Sequence, residues 1–445
     1  MKHTVLLTLF LITFFSVRAQ VIDTIGSTPV HIDIVLDNTE VDSPWDLMWG
    51  PDQTLWYSDG RFVFRYDTAS DTRHEIFSLQ DGNVLGMAVH PDFNDTPWVY
   101  MVVDTSASYY AGGTLAELRR YTYSFAGDSL YAPLYILQWD HPGEHIGGRI
   151  TIGTDRKVYV TTSDYADQYD QDTIGNNSGK VLRVNFDGSI PSDNPRADYT
   201  WSYGHRNPQG IVSLPDGKII SSEFGAGNDE LNLILRNRDY GWPYFDGNQC
   251  VFLSDTCNSP TYNYEHAMDV DINPPSGIDY YESFAIPEFD RAILEGVLSF
   301  GGTIGGIMAY KLNSQHDAVT SKTSYLTGEY GRVRDVCVTP EGRVFFITND
   351  RNNPEIRLLY NPAAHVSVPE EEKIKLSIFP NPSAGQFIIS TTQAQIGTWE
   401  IYSLTGQVLM AGNGASKQEI IDLTGWNNGL YLLRCGAGVY KIVKE

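Results

Sequence analysis

The sequence predicts an all-β protein: a six-bladed β-propeller followed by a small C-terminal β-sandwich. Three observations carry this. A turn signal followed by an alternating apolar run recurs through about the first 360 residues. No long stretch shows the 3.6-residue apolar period of an amphipathic helix. After Pro362 the texture changes into a polar linker and then a second series of short strands.

The recurring unit reads GPDQTLWYSDG from Gly50, HPDFNDTPWVYMVV from His90, GTDRKVYVTTSD from Gly153, LPDGKIISSEFG from Leu214 and TPEGRVFFITND from Thr339. Proline, aspartate and glycine in succession suit a type I turn, and the period-two pattern after it is a half-buried strand, so each copy reads as a hairpin. The turn positions Pro51, Pro91, Thr154, Pro215 and Pro340 are 40, 63, 61 and 125 residues apart. The last gap is about two of the middle ones, which predicts a degenerate copy between them, and IPEFDRAILEGVLSF around Pro287 fits. Six sheet-sized repeats suit a propeller, in which radial repetition leaves few exposed edges.

The ends of the chain differ from this pattern. MKHTVLLTLFLITFFSVRAQ carries Lys2, an apolar run from Val5 to Val17 and a small residue at Ala19. A bilayer takes about 20 apolar residues, so this reads as a secretory signal over residues 1–19 rather than a membrane span. No later stretch resembles a transmembrane segment. The propeller is assigned to 20–362, the linker AAHVSVPEEEKIK to 363–375 and the sandwich to 376–445, where Thr405-Gly406 and Asn428-Gly429 punctuate alternating strands. Export permits disulfides, and Cys250 and Cys257 in CVFLSDTC are close enough to close a small ring. Cys337 sits in an apolar run and Cys435 stands alone far downstream, so neither suggests a metal site.

The 445 residues include 31 Lys+Arg and 55 Asp+Glu, a formal net charge of −24. Such a chain repels nucleic acid and anionic membranes at long range, so an anionic ligand has to be held by a local basic cluster. Three segments gather candidates. In HPGEHIGGRITIGTDRKVYVTTSD, His145 precedes Gly147-Gly148 and Asp164 ends the next strand pattern, offering a base with a carboxylate. In WSYGHRNPQG and the following SSEFGAGNDELNLI, Arg206 and Asn207 stand before a proline, where a strand runs out into a loop, and Gly225-Ala226-Gly227 can turn carbonyls toward a hard cation. In GRVRDVCV, Arg332 and Arg334 are two apart and share a face, unfavourable unless an anion or carboxylates lie between them, while Asp335 points the other way. Singly, a loop histidine is more often structural and an arginine more often a loop tie. On a closed ring, the three arginines with Asn207 would clamp a polyanion, since guanidinium forks match carboxylates bidentately.

At these residues the chain resembles the soluble pyrroloquinoline quinone-dependent aldose sugar dehydrogenases, the glucose/sorbosone dehydrogenase family. The likeness spans roughly Asp46 to Pro362 through LGMAVHPDF, HIGGRI, VYVTTSD, GKVLRVNFDGSIPSDNP, YGHRNPQG, SSEFGAGNDELN, DYGWP, PPSGIDYY and GRVRDV, in that order. It implies oxidation of aldose sugars at the anomeric carbon to lactones, with hydride passing to the quinone and electrons onward to an external acceptor. His145 matches the general base, Asp164 its supporting carboxylate, Arg206 and Asn207 the pair at the quinone oxygens, and Arg332 and Arg334 the holders of the cofactor carboxylates. Gly225 and Ala226 match the positions whose carbonyls ligate calcium. The sequence departs from the family pattern at Ser299, where relatives have a lysine, at Ala226, where they have proline, and in lacking a tryptophan just upstream of PPSG. A non-catalytic propeller binding glycans or a protein partner is therefore the competing reading. The last 70 or so residues, from LSIFPNPSAGQF to GLYLLRCGAGVYKIVKE, resemble type IX secretion sorting domains. That likeness implies type IX machinery as a partner and a secreted or outer-membrane location on a Gram-negative cell.

Overall fold

Each recurring turn joins the first strand of a sheet to its second. In four copies the closure is the same: Gly50, Gly153, Leu214 and Thr339 each donate their N–H to the carbonyl four residues on and accept from the N–H three residues on, at 2.8–3.0 Å. The donor three residues on, Gln53, Arg156, Gly217 or Gly342, has a positive φ of 61–89°. This is the three-residue hairpin loop, a type I turn closed by a left-handed residue. The structure, a computed structural model, describes residues 20–105, 114–143, 145–165, 176–251, 263–299, 304–349, 353–364, 376–391, 395–403, 408–435 and 438–445. Among them there is no α-helix, and so none long and apolar enough to cross a membrane.

The chain divides into two compact units, Met1–Pro362 and Ala363–Glu445. In the first unit, six larger antiparallel sheets follow one another, beside a two-stranded one of Phe245–Asp246 and Gln249–Cys250. The first strands of the six are Pro44–Trp49, Asn83–Val89, Gly147–Ile152, Pro208–Ser213, Pro275–Tyr281 and Val333–Val338. Five sheets are four-stranded; the sixth takes its last two strands, Thr28–Leu36 and Gln20–Ile25, from the start of the chain. There His31 pairs with Tyr360, so the two ends of the unit meet in one sheet. The first strands pack on one another in succession, and Val333–Val338 packs on Pro44–Trp49.

The apolar cores lie between neighbouring sheets. Trp56 and Val63 of the first meet Met87 and Val99 of the second, and Tyr159 and Val181 of the third meet Ile211 and Ile219 of the fourth. Leu294 and Ile307 of the fifth meet Val333 and Phe346 of the sixth, which in turn offers Phe345 and Ile347 to Leu55 and Tyr57 of the first. Burying each such side chain contributes about 1.5–3 kcal/mol.

Every first strand carries a register shift at its start, between Pro44 and Leu47, Val84 and Gly86, Gly147 and Ile150, Pro208 and Gly210, Pro275 and Ile278, and Val333 and Asp335. A bulge re-aims the side chains beside it. Here it gathers Asp46, Arg149 and Asp335 from three sheets. Arg149 donates to the Asp46 carboxylate, pairs with Asp335 at 2.6 Å and donates to the Gln209 carbonyl at 2.9 Å. Gly277 admits this knot, since a Cβ there would stand 1.6 Å from an Asp335 carboxylate oxygen.

In the second unit a three-stranded and a four-stranded sheet share one core containing Phe387, Ile389, Trp399, Ile401, Ile421 and Leu433. Cys337 and Cys435 are buried free thiols. The expected signal segment 1–19, linker residues 365–375 and Cys257 of the expected bridge lie outside the described residues.

Candidate active site

The bulged strand starts open into a cavity of about 710 Å³ whose lining includes His145, Asn207, Arg332 and Arg334. Four of the residues singled out from sequence are thus brought together. The loop bearing His145 is fixed from behind: Ser163 donates its hydroxyl to the His145 carbonyl at 2.7 Å, and the Trp139 indole donates to the Ile146 carbonyl at 3.0 Å. His145 Nδ1 lies 3.2 Å from Asp164 Oδ1, and Asp164 is 1 % exposed. The Gly147-Gly148 pair serves close packing of the protein's own strands, since a Cβ at Gly147 would stand 2.9 Å from the Thr161 carbonyl oxygen.

Arg334 is the unusual group. It is 4 % exposed, its guanidinium lies 3.3 Å over the Trp45 ring, and the side chain it hydrogen-bonds among the described residues, Gln209 Oε1 at 3.2 Å, is neutral. Its Nε is buried without a hydrogen-bond partner among the described residues. Burial and the neighbouring Arg149 and Arg332 push its pKa well below the usual range. Arginine does not give up its proton in proteins, so the physical content is a desolvated cation that feels Asp335 and Asp46 only at a distance, with no carboxylate hydrogen-bonded to it among the described residues. The nearest acids are engaged elsewhere, Asp46 and Asp335 both holding Arg149. Arg332, half-buried at the same wall, donates to Asn349 at 3.1 Å. Asn207 accepts from the Gly147 N–H at 3.3 Å and from Gln209 Nε2 at 2.7 Å, which commits its oxygen to the protein and leaves its NH2 to offer.

Arg206 takes another position. Its guanidinium lies between Trp242 and Phe224, 5.2 and 5.4 Å from the ring centres. Its Nη1 donates to the Phe224 and Gly225 carbonyls at 2.9 and 2.7 Å. Phe224 lines the cavity, so Arg206 flanks the wall through that ring rather than standing beside Arg332 and Arg334. The Gly225-Ala226 loop is pinned by its N–H groups, Gly225 to Asp229 at 3.0 Å and Ala226 to Asp246 at 2.8 Å.

Trp45, Gln209 and Trp242 were missed by sequence reasoning. Gln209 stands inside the NPQG motif and Trp242 inside DYGWP, so membership of those motifs was the available signal. Trp45 had none beyond preceding the first turn.

The cavity tests which groups the residues could hold. A desolvated guanidinium with an orphaned N–H, a second guanidinium and an aromatic wall fit a planar, carboxylate-bearing quinone. The calcium loop does not fit a resident cation as it stands: the Gly225 carbonyl already accepts from Arg206, and the nearby carboxylates face loop N–H groups. No group of three or more His, Cys, Asp or Glu able to hold a metal occurs among the described residues.

Comparison with known proteins gives the context. Residues 377–445 match the secretion system C-terminal sorting domain. Quinoprotein glucose dehydrogenase B of Acinetobacter calcoaceticus is 32% identical over 253 residues, 48% of this chain and 52% of that protein, so the match spans about half of that relative. Aldose sugar dehydrogenase YliI of Escherichia coli (strain K12) is 22% identical over 360 residues, 75% of this chain and 94% of that protein. The PQQ-bound aldose sugar dehydrogenase of Streptomyces coelicolor shares the fold, with a TM-score of 0.61 and 24% identity over 74% of this chain and 98% of that one. Residues 41–358, carrying the first strands of all six sheets, match the glucose/sorbosone dehydrogenase pattern, and the chain belongs to that family.

Proposed function

We propose that the protein is a sugar dehydrogenase that binds pyrroloquinoline quinone in the 710 Å³ cavity and oxidises the anomeric carbon of aldoses to lactones. The observation that carries this is Arg334, buried beside the cavity with an orphaned Nε and a hydrogen bond to neutral Gln209, while Asp46 and Asp335, whose charges it feels, are tied to Arg149. Arg332 and Arg334 would hold the carboxylates of the cofactor, with Trp45 beneath the guanidinium, and Asn207 and Arg206 would serve its carbonyl edge. The quinone supplies the two-electron acceptor that takes hydride from the sugar carbon.

His145 does the proton chemistry. A carboxylate only accepts hydrogen bonds, so Asp164 draws the proton to Nδ1 and leaves the Nε2 lone pair as the base that removes the sugar hydroxyl proton. An external electron acceptor would be needed to regenerate the site. No step here runs through calcium; Gly225 and Ala226 would hold the cation only once the Gly225 carbonyl, which accepts from Arg206, is released.

The same proposal takes the six sheets as blades of a closed propeller, supported by the succession of first-strand contacts. Its domain bounds are 1–19 for the signal, 20–362 for the propeller, 363–375 for the linker and 376–445 for the sorting domain. A Cys250–Cys257 bridge is supported by the disulfide-bonded form of Cys250, with Cys337 and Cys435 free. Export by the type IX machinery to the cell surface or beyond is supported by the sorting-domain match. The competing reading is a non-catalytic propeller that binds glycans or a protein partner, and its glycan form offers Arg334 no carboxylate, since neutral glycans carry none.

Equilibrium titration of the purified protein with the quinone, followed by turnover of an artificial electron acceptor over a panel of aldoses, tests the proposal. Binding with turnover is expected. Absence of quinone binding, or Arg334→Ala binding as tightly as the parent, overturns it.

A further inference from the structure

We propose that Trp242 is the positioning residue that decides which nitrogen of His145 faces the cavity. Asp164 is taken almost wholly out of water, and its two oxygens have different partners: Oδ1 meets His145 Nδ1 at 3.2 Å, and Oδ2 accepts the Trp242 indole N–H at 2.9 Å. A carboxylate held at both oxygens cannot rotate, so the indole fixes the plane in which Asp164 addresses the imidazole. Trp242 is itself 7 % exposed and held, its main-chain N–H donating to the Gly204 carbonyl at 3.0 Å.

That seat depends on Gly204, where φ is +77° and a Cβ would stand 2.2 Å from Asp239 Oδ1 and 2.8 Å from the Tyr240 nitrogen. The GHRN turn and the DYGW turn are thus pressed together. The same press puts the Arg206 guanidinium against the face of the Trp242 ring. One side chain therefore spans both halves of the site: its edge orients the carboxylate behind the base, and its face supports the guanidinium. Second-layer hydrogen bonds of this kind fix tautomer and ring orientation, and losing one costs about 10- to 100-fold in function in metal-site histidines.

The inference rests on the proposed base role of His145 only in its kinetic arm. The direct test is the tautomer of His145 in the apo-protein, read from imidazole nitrogen shifts with 15N-histidine labelling and assigned with His145→Gln. The parent should hold neutral His145 as the Nδ1–H form; Trp242→Phe, which keeps a ring and removes the N–H, should give mixed tautomers. Replacing Trp242 by benzothienylalanine, which keeps the shape and has sulfur for N–H, should do the same even where Trp242→Phe folds poorly. In turnover, kcat should fall about 10- to 100-fold while KM and quinone affinity stay within about threefold, and Trp242→Phe should add no further loss on an Asp164→Asn background. An unchanged tautomer in both variants overturns the inference. An Nδ1–H tautomer lost with the indole N–H, in a parent that turns over no sugar, sinks the dehydrogenase reading and leaves this one standing.

Discussion

The guanidinium of Arg334 lies 3.3 Å over the indole of Trp45 and donates to neutral Gln209, with no carboxylate hydrogen-bonded to it among the described residues. The ring faces a cation that burial has stripped of water, and the cation–π attraction offsets part of that cost, about 2 kcal/mol when desolvated. Function and stability therefore oppose one another at this residue. Arg334→Gln should lower quinone affinity about 10- to 100-fold, the loss of a charge-assisted bond. The same change should raise the melting temperature of the apo-protein, because it removes a buried charge whose desolvation and repulsion from Arg149 and Arg332 outweigh its attraction to Asp335 and Asp46. Parallel melting and titration curves check both signs, and a variant that melts lower and binds as the parent does would contradict the account.

The knot behind that pair should be intolerant of volume. Gly277→Ala places a Cβ 1.6 Å from Asp335 Oδ1 and 2.1 Å from Arg149 Nη2. Neither group can withdraw without breaking the buried ion pair. Overpacking alone costs about 1–3 kcal/mol, and a broken pair adds to it, so chemical denaturation should show a loss of at least about 2 kcal/mol. Quinone affinity should fall with it, since Arg334 and Gln209 stand on the same knot. A Gly277→Ala protein as stable as the parent would mean the strands part more easily than their register allows.

The strand-turn pattern was legible because it is local chemistry. Proline, aspartate and glycine fix a turn within four residues, and the turns at Gly50, Gly153, Leu214 and Thr339 close alike. The degenerate copy around Pro287 also joins a first strand to a second, Pro275–Tyr281 to Ala292–Val297. The pairing of Thr28–Leu36 with Glu355–Tyr360 was not legible, because residues more than 300 positions apart meet only once the intervening sheets are in place. The bulges were equally hidden: a one-residue shift leaves no mark on the apolar pattern, yet it turns Trp45, Gln209 and Arg334 toward one cavity. Arg206 was read as a third clamp because its charge is visible in the sequence and its capture by the Phe224 and Gly225 carbonyls is not.

Glu295 gives the first unit a pH dependence of known sign. It is 1 % exposed, accepts from the Tyr310 hydroxyl at 3.3 Å, and is pushed well above the ordinary glutamate value of 4.5 by burial and then by Asp229, Asp271 and Asp269. Of these carboxylates, Asp269 and Asp271 hold Lys322 at 2.6 and 2.9 Å. The unfolded chain releases this proton near 4.5 while the native protein keeps it, so stability falls as pH rises above that value, by at most about 1.4 kcal/mol per pH unit. Glu295→Gln should flatten that slope and melt higher than the parent at pH 8, with little difference at pH 4.5. Equal slopes across pH 4.5 to 8 would show that the native carboxyl ionises as freely as the unfolded one.

Calcium should bind the apo-protein weakly because its loop is already satisfied. The Gly225 carbonyl accepts from Arg206 at 2.7 Å, so a cation must displace a guanidinium and then sit beside its charge. A dissociation constant of about 1 mM would make 1 mM calcium worth about 0.4 kcal/mol to the fold, a melting shift of roughly 1 °C for a unit of this size. Chelator should therefore leave the apo-protein's melting temperature nearly unchanged, and calorimetry should find tight calcium uptake only after the quinone is added. Arg206→Gln frees the carbonyl and removes the competing charge, so it should strengthen calcium binding to the apo-protein while weakening the quinone complex. A calcium shift of several degrees in the parent apo-protein would show that the Gly225 carbonyl leaves Arg206 at little cost.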